Sequence, residues 1–281
     1  MKNRIKLIAV TDLAFILLLS LAGILDGWPW QVARAAVFLL LISPALILAK
    51  RFDEREERPM GRLPLGIKGG NLLLTIPTLA PSVLLIFGVS ALTSLILTSF
   101  GASGSTVEDA PIWEMILIHA LIPAVLEEGL FRLVPLRLLG ADRPGLCVIL
   151  SALFFAFVHC SFYSIPYALV AGIIFMALDI AFDSVLPSLI LHLINNTMSV
   201  LWIKYCNTPT RVTIYLAILG GAAVISAVVM ILLRGKYKLA FARIFEKKEK
   251  TADTTSDWLM PSVILLGICT VLATVNIFTG G

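Results

Sequence analysis

Two adjacent carboxylates lie in a segment that is otherwise apolar enough to enter a membrane. Residues 112–139 are mainly aliphatic, yet they include Glu127, Glu128 and Arg132. A charged side chain at bilayer depth costs at least about 2.5–3.5 kcal/mol, so such residues usually face the interior of a helical bundle and mark a working site. The chain must therefore fold into a structure that shelters these three charges.

The composition indicates that this setting is a membrane. Hydrophobic residues make up 59% of the chain and charged residues 14%, and the mean hydropathy is +0.96. The apolar runs are long, whereas the strands of a membrane barrel would show short alternating segments. We therefore expect an all-α protein, a polytopic helical membrane bundle of about eight to nine transmembrane helices.

The apolar runs predict nine membrane spans, at residues 7–25, 32–49, 72–100, 112–139, 145–162, 165–182, 186–203, 212–233 and 258–279. They suggest three regions: N-terminal membrane segments at 1–110, a helical core at 111–205 that contains these charges, and C-terminal segments at 206–281 with a basic loop at 234–250. No internal repeat of fixed period is evident.

Positive charges orient the predicted spans. Of the 22 Lys and Arg residues, 19 fall in four stretches that the span order places on one side: the N-terminus, 50–68, 132–143 and 234–250. The positive-inside rule makes that side cytoplasmic, so we expect an integral membrane protein with a cytoplasmic N-terminus. Its short loops are typical of a prokaryotic plasma-membrane protein. The basic loop either lies along anionic lipid headgroups or is simply solvated, and neither reading involves nucleic acid.

The two glutamates are not equivalent on a helix. Glu128 and Arg132 are i,i+4 neighbours that can neutralise each other, while Glu127 points about 100° away and has no partner in its own turn. An ion pair that only docks helices would explain Glu128 and Arg132. It would leave Glu127 uncompensated, and we therefore expect Glu127 to be functional.

Two histidines lie at depths that could bring them near Glu127. The fourth and fifth spans join near residue 142, so positions equally distant from that turn should be neighbours, and Glu127 should face the region of Phe157 and His159. In the seventh span, His192 and Asn196 are i,i+4 and share a face. A lone histidine is more often a structural hydrogen-bond donor, and a His/Asn pair can merely hold helices together.

These side chains suit hydrolysis without a covalent intermediate. A carboxylate beside an imidazole can hold and deprotonate a water molecule, the role expected of Glu127 and His159. Donors aimed at the resulting oxyanion are worth about 2.7–4 kcal/mol each in a preorganised site. His192 and Asn196 would supply these donors.

Three motifs in order complete the pattern: Glu127-Glu128-x-x-x-Arg132, Phe155-x-x-x-His159 and His192-x-x-x-Asn196. Over about residues 111–205 the chain resembles the CAAX protease and bacteriocin-processing family, which includes the type II CAAX prenyl endopeptidases. The resemblance implies a glutamate-type intramembrane endopeptidase with the roles given above. Glu128 and Arg132 would brace the site, and the cavity would open toward the cytoplasm.

The resemblance implies a membrane-associated peptide or protein substrate and no cofactor or metal. Eukaryotic members of the family remove the last three residues of prenylated C-termini, whereas prokaryotic relatives act on other peptides or take part in bacteriocin immunity. Prenylated substrates are therefore one option among several for this chain.

Other functions stay open at this point. A zinc metalloprotease could in principle use Glu127, His159 and His192, although the H-E-x-x-H motif is absent. A proton-coupled transporter, or a non-catalytic bacteriocin-immunity or scaffold protein, would also place Glu and His within the membrane. Cys160 and Cys206 are both predicted on the outer side, where free thiols are the default and a disulfide is conceivable.

Overall fold

The computed structural model describes residues 28–55, 69–100, 110–140 and 143–245, together with isolated positions between 6 and 18 and at 267, 268 and 271. Its helices are α1 (Trp28–Arg55), α2 (Gly69–Ser99), α3 (residues 112–140), α4 (Pro144–Phe157), α5 (Ile165–Phe182), α6 (Leu186–Tyr205), α7 (Pro209–Leu232) and α8 (Arg234–Ala242). Within these residues the structure contains no strand. The predicted fold class, an all-α helical membrane bundle, is confirmed.

Four of the described helices are long and apolar enough to cross a membrane: Leu73–Ser99 within α2, α5, α6 and α7. Two shorter apolar helices, Ala35–Leu48 and Pro144–Phe157, lie beside them in the sequence. Most of the predicted spans at 7–25 and 258–279 lies outside the described residues. The total of eight to nine crossings and the division into three regions therefore stay predictions.

The third helix, which carries the glutamate motif, is not regular. In α3, α-helical turns alternate with three π-helical segments, Leu117–Leu121, Gly129–Leu133 and Leu136–Gly140. The second of these begins directly after Glu128. A π-helical turn holds an extra residue, widens the helix locally and is frequent at functional sites. The simple 3.6-residue periodicity of the sequence does not predict these turns.

The predicted span at 145–162 is too long. The corresponding helix, α4, ends at Phe157, and His159 lies in the turn that follows it. Cys160 adopts a φ of 44°, in the left-handed region that a helix of L-residues cannot continue through. His159 is therefore presented by a turn between α4 and α5, and not by a helical face.

Two helices of the core approach each other closely at Gly172. A Cβ atom at this position of α5 would lie 2.7 Å from the Cα atom of Ala152 in α4. Real Cβ atoms do not come so near to backbone, so only glycine permits this separation. The contact brings α4 against α5 in the region where Phe155 and Phe175 face each other, with ring centroids 6.4 Å apart.

The short helix α8 packs against one end of the bundle. The Tyr237 hydroxyl donates to the Leu74 carbonyl of α2 at 2.6 Å, and Arg243, just after α8, donates to the Ala181 carbonyl of α5 at 3.5 Å. Tyr237 is 7% exposed, and burial raises the pKa of its phenol. The start of α2, the end of α5 and helix α8 therefore meet at the same end of the bundle.

Candidate active site

The second glutamate of the motif forms a fully enclosed ion pair. Glu128 Oε2 lies 3.3 Å from Arg132 Nε, and the two side chains are 3% and 0% exposed. The Arg132 guanidinium also donates from Nη1 to the Phe131 carbonyl and to Ser151 Oγ, each at 3.1 Å. This i,i+4 pairing is the one that the spacing predicts, although the turn that contains Arg132 is π-helical. Removing either partner would leave a buried charge uncompensated.

Aromatic rings cover the guanidinium. The Arg132 Cζ atom lies 4.5 Å from the centroid of the Phe155 ring and 5.4 Å from that of Phe175. Desolvated cation–π contacts of this kind contribute about 2 kcal/mol. The phenylalanine of the F-x-x-x-H motif thus packs against the charge of the E-E-x-x-x-R motif.

His192 of α6 lies between the two glutamates. Its Nδ1 is 2.7 Å from Glu128 Oε1, and its Nε2 is 3.7 Å from Glu127 Oε2. Because a carboxylate only accepts, Nδ1 carries the hydrogen in the first contact, and the ring orientation is fixed. The second distance is too long for a direct hydrogen bond. The imidazole therefore directs Nε2 toward the region of Glu127.

Glu127 is more accessible than its neighbour. Its side chain is 14% exposed, compared with 3% for Glu128. The Tyr167 ring of α5 packs edge-on against the His159 ring, with 6.4 Å between centroids. The first glutamate therefore lies at the more open edge of the buried cluster.

The turn that carries His159 fixes the orientation of its ring. The Nδ1 atom lies 2.8 Å from the Phe155 carbonyl oxygen, which can only accept, so Nδ1 is the donor and Nε2 is the nitrogen able to accept a proton. The Phe155 ring lies 5.0 Å from the His159 ring and 5.8 Å from the His192 ring. His159 therefore adjoins the cluster through Phe155 and Tyr167.

Asn196 lies one turn beyond His192 on α6 and is half-buried. Its Oδ1 accepts a hydrogen bond from Asn195 Nδ2 at 3.3 Å. This hydrogen bond fixes the oxygen of the Asn196 carboxamide, and it thereby also fixes the direction of the NH2 group. The i,i+4 relation places Asn196 on the same side of α6 as His192.

Several buried polar residues around the cluster were not selected from the sequence. Ser151, Asp179 and Ser188 are each 0% exposed, and Ser151 donates to the Phe131 carbonyl beside Arg132. The direct contact between Glu128 and His192 was not predicted either. Asp179 did carry a usable signal, because it is an acid inside an apolar helix, the same feature that selected Glu127.

The alternatives that depend on metals or disulfides find no added support. Across the described ranges, no three His, Cys, Asp or Glu side chains are grouped so that they could hold a metal ion. Cys160 and Cys206 are both thiols, and Cys160 Sγ donates to the Phe157 carbonyl at 3.3 Å.

Comparison with known protein families bears directly on this cluster. Residues 109–198 match the model of the family described as type II CAAX prenyl endopeptidase Rce1-like. This segment is similar to the Rce1-like family. The Rce1-like segment includes all three motifs and every residue of the cluster, so the resemblance predicted from the motifs is confirmed. No curated protein and no solved structure matches the chain.

The Rce1-like match carries a general functional conclusion. It implies peptidase activity of the CAAX type within a membrane, and a membrane-associated protein as substrate. The four long apolar helices agree with a membrane location. The match does not assign roles to single residues.

Proposed function

We propose that the protein is an intramembrane endopeptidase of the glutamate type, in which Glu127 and His159 activate the water that hydrolyses a peptide bond. The observation that supports this most is the position of His192 between the two glutamates. One ring nitrogen is held by the enclosed Glu128, and the other faces the more accessible Glu127. In this arrangement Glu128 supports the imidazole, and Glu127 is the carboxylate left to react with water.

Water activation is the role of Glu127 and His159. The Phe155 carbonyl fixes the tautomer of His159 with Nε2 able to accept, and Glu127 lies at the edge that solvent reaches. A carboxylate and an imidazole on one water provide two proton acceptors. Positioned general bases contribute about 10²–10⁴-fold to the rate.

Oxyanion stabilisation is the role of His192 and Asn196. When the His192 ring carries both protons, Nδ1–H donates to Glu128 and Nε2–H is directed toward the Glu127 side. Glu128 thus holds the ring in this orientation, and Arg132 holds Glu128 in place. The Asn196 carboxamide, one turn further along α6, supplies a second N–H donor. Both donors act in a site from which bulk water is largely excluded.

The steps balance without a covalent enzyme intermediate. The oxygen of the water bonds to the carbonyl carbon while its proton moves to the Glu127 and His159 pair. The carbonyl oxygen becomes an oxyanion, held by His192 and Asn196. When the C–N bond breaks, the proton held by the Glu127 and His159 pair passes to the leaving amine, and the hydroxyl proton of the new carboxyl group passes to the vacated pair or to solvent, so the new C-terminus departs as a carboxylate.

The proposed substrate is a membrane-associated peptide or protein. A protein with a prenylated C-terminus is one such substrate. The basic stretches at 50–68, 137–143 and 234–250 contain fifteen Lys and Arg residues. The contacts of Tyr237 and Arg243 place α8 beside the start of α2 and the end of α5. We propose that this end is cytoplasmic. The opening of the cavity toward the cytoplasm, implied by the family, remains a prediction.

A peptidome comparison tests the proposed function without knowledge of the substrate. Membranes from cells that produce the wild-type protein or the Glu127→Gln variant would be compared by mass spectrometry of released peptides. We expect a set of peptides that is present with the wild type, absent with Glu127→Gln, and unaffected by chelators. Identical peptide sets at equal protein levels would contradict the proposal, and loss of the peptides on chelation would instead favour a zinc enzyme.

A further inference from the structure

A second buried carboxylate lies behind the proposed active site. Asp179, near the end of α5, is 0% exposed. Its Oδ1 accepts from the backbone N–H of Ser188 at 3.0 Å, and its backbone carbonyl accepts from the N–H of Ser184 at 3.0 Å. Burying a carboxylate is costly unless it is hydrogen-bonded. The complete burial of Asp179 therefore calls for a structural or functional reason.

The contact of Asp179 supports the first turn of α6. The first N–H groups of a helix have no partner within that helix and need an acceptor from outside. At α6, Ser184 Oγ accepts from the Leu186 N–H at 3.1 Å, and Asp179 accepts from the N–H of Ser188, the third helical residue. A side chain of the preceding helix thus caps α6, which ties the start of α6 to α5.

Ser188 connects this cap to the active site. Its hydroxyl donates to the Val185 carbonyl at 3.0 Å, while its backbone N–H donates to Asp179 at 3.0 Å. Ser188 and His192 are i,i+4 on α6, so they share a face. The connection therefore runs from Asp179 to the backbone of Ser188, along one turn of α6 to His192, and from His192 to Glu128 at 2.7 Å.

We propose that Asp179 is a positioning residue of the active site, which holds the first turn of α6 at Ser188 and so sets the depth and rotation at which His192 meets Glu128. The catalytic meaning of this role rests on the proposed function. The geometric part, control of the Glu128–His192 hydrogen bond, does not depend on it.

The proposal predicts which replacements preserve the role. Only one oxygen of Asp179 has a hydrogen-bond partner, since Oδ2 is buried without one among the described residues. An asparagine offers a carbonyl oxygen in the same place, so Asp179→Asn should keep the cap. Asp179→Ala removes the acceptor. Asp183, exposed at the end of α5, provides a matched control in Asp183→Asn.

Histidine NMR reports the contact directly. The chain has three histidines, so the ring ¹⁵N and ¹H signals of the full-length protein in detergent, labelled with ¹⁵N-histidine, can be assigned with single His→Gln variants. The short bond to Glu128 should give His192 Nδ1–H a strongly downfield proton signal. We expect this signal to persist in Asp179→Asn and Asp183→Asn, and to shift upfield or disappear in Asp179→Ala.

An unchanged His192 signal in folded Asp179→Ala would overturn the proposal, and so would its loss in folded Asp179→Asn. If Asp179→Ala does not fold, Asp179→Ser decides in the same way, because its hydroxyl is too short to reach the Ser188 N–H. None of these outcomes requires a substrate, so failure of this proposal is distinct from failure of the proposed peptidase activity.

A second measurement tests the catalytic consequence once cleaved peptides are available. We expect Asp179→Ala to lower kcat about 10-fold or more while KM changes little, and Asp179→Asn to restore most of the loss. A purely structural role would lower the yield of folded protein and leave kcat per folded molecule unchanged. Equal kcat values for folded Asp179→Ala and wild type would contradict the positioning role.

Discussion

Glu128 and His192 lie 64 residues apart in the chain, and Oε1 of the first is 2.7 Å from Nδ1 of the second. This contact joins α3 to α6 inside the bundle and gives the two neighbouring glutamates different environments. Glu128 holds the imidazole from behind, while Glu127 faces the other ring nitrogen at 3.7 Å. The roles proposed for the two carboxylates follow from this difference.

Glu128→Gln should impair catalysis through His192. A neutral amide accepts a weaker hydrogen bond from the His192 Nδ1–H than a carboxylate does, so the imidazole that directs a donor at the oxyanion is held less firmly. Since one such donor is worth about 2.7–4 kcal/mol, we expect kcat to fall about 100-fold or more. The assay is cleavage of a peptide found by the peptidome comparison, with Glu114→Gln at the start of α3 as the control. Wild-type kcat in Glu128→Gln would show that the contact is not needed for catalysis.

Arg132→Met should destabilise the protein because it leaves the Glu128 carboxylate enclosed without its counter-charge. Breaking a buried ion pair from one side costs about 3–5 kcal/mol. Thermal unfolding in detergent measures the loss. The double variant Glu128→Gln with Arg132→Met removes both charges, so it should unfold at a higher temperature than Arg132→Met alone. If the double variant is no more stable, the penalty does not come from the unpaired charge.

Gly172→Ala should push α4 and α5 apart. The new Cβ would meet the Ala152 Cα atom at 2.7 Å, and overpacking of this kind costs about 1–3 kcal/mol. Gly221→Ala in α7 is the matched control, since a Cβ there has no atom within 4 Å and alanine favours the helix by about 0.5–1 kcal/mol. Unfolding temperatures should therefore move in opposite directions, and a fall of equal size in both would refute the close approach.

Tyr237 should make stability sensitive to alkaline pH. Burial raises the pKa of its phenol, so the folded state keeps this proton at pH values where the unfolded chain, with a pKa of about 10, has begun to lose it. The contribution of the protonated phenol to the free energy of unfolding is complete below the unfolded-state pKa, and it declines as the pH rises above that pKa. We expect the wild type to unfold at a higher temperature than Tyr237→Phe at about pH 9, and this difference to shrink by about pH 11, on the other side of the unfolded-state pKa. A difference that does not change with pH would contradict this origin.

Local features of the site could be predicted from the sequence. Charges in an apolar segment marked Glu127, Glu128 and Arg132, and the i,i+4 spacing predicted the ion pair that the structure contains. The all-α membrane fold followed from the lengths of the apolar runs. Each of these inferences depends on interactions within one helical turn or on composition alone. Both can be determined from the sequence without knowing how the helices pack.

Features that depend on how helices tilt and rotate could not be predicted. The Glu128–His192 contact joins two helices, and hydropathy periodicity does not specify their relative depth. His159 was expected on a helix but lies in a turn, because Cys160 adopts a positive φ. Cysteine is not a residue type that predicts a positive φ. The capping of α6 by Asp179 likewise depends on where α5 ends. The catalytic roles of Glu127, His159, His192 and Asn196 remain predictions.

The most direct test of the central claim is the cleavage rate of purified Glu127→Gln and His159→Ala. The probe would be a peptide from the peptidome comparison, with a farnesylated peptide ending in a CAAX sequence measured beside it, and Asp183→Asn would be the control. We predict that each active-site variant remains folded and loses at least about 100-fold in kcat, while the control matches the wild type. Wild-type cleavage rates in both folded variants would contradict the account.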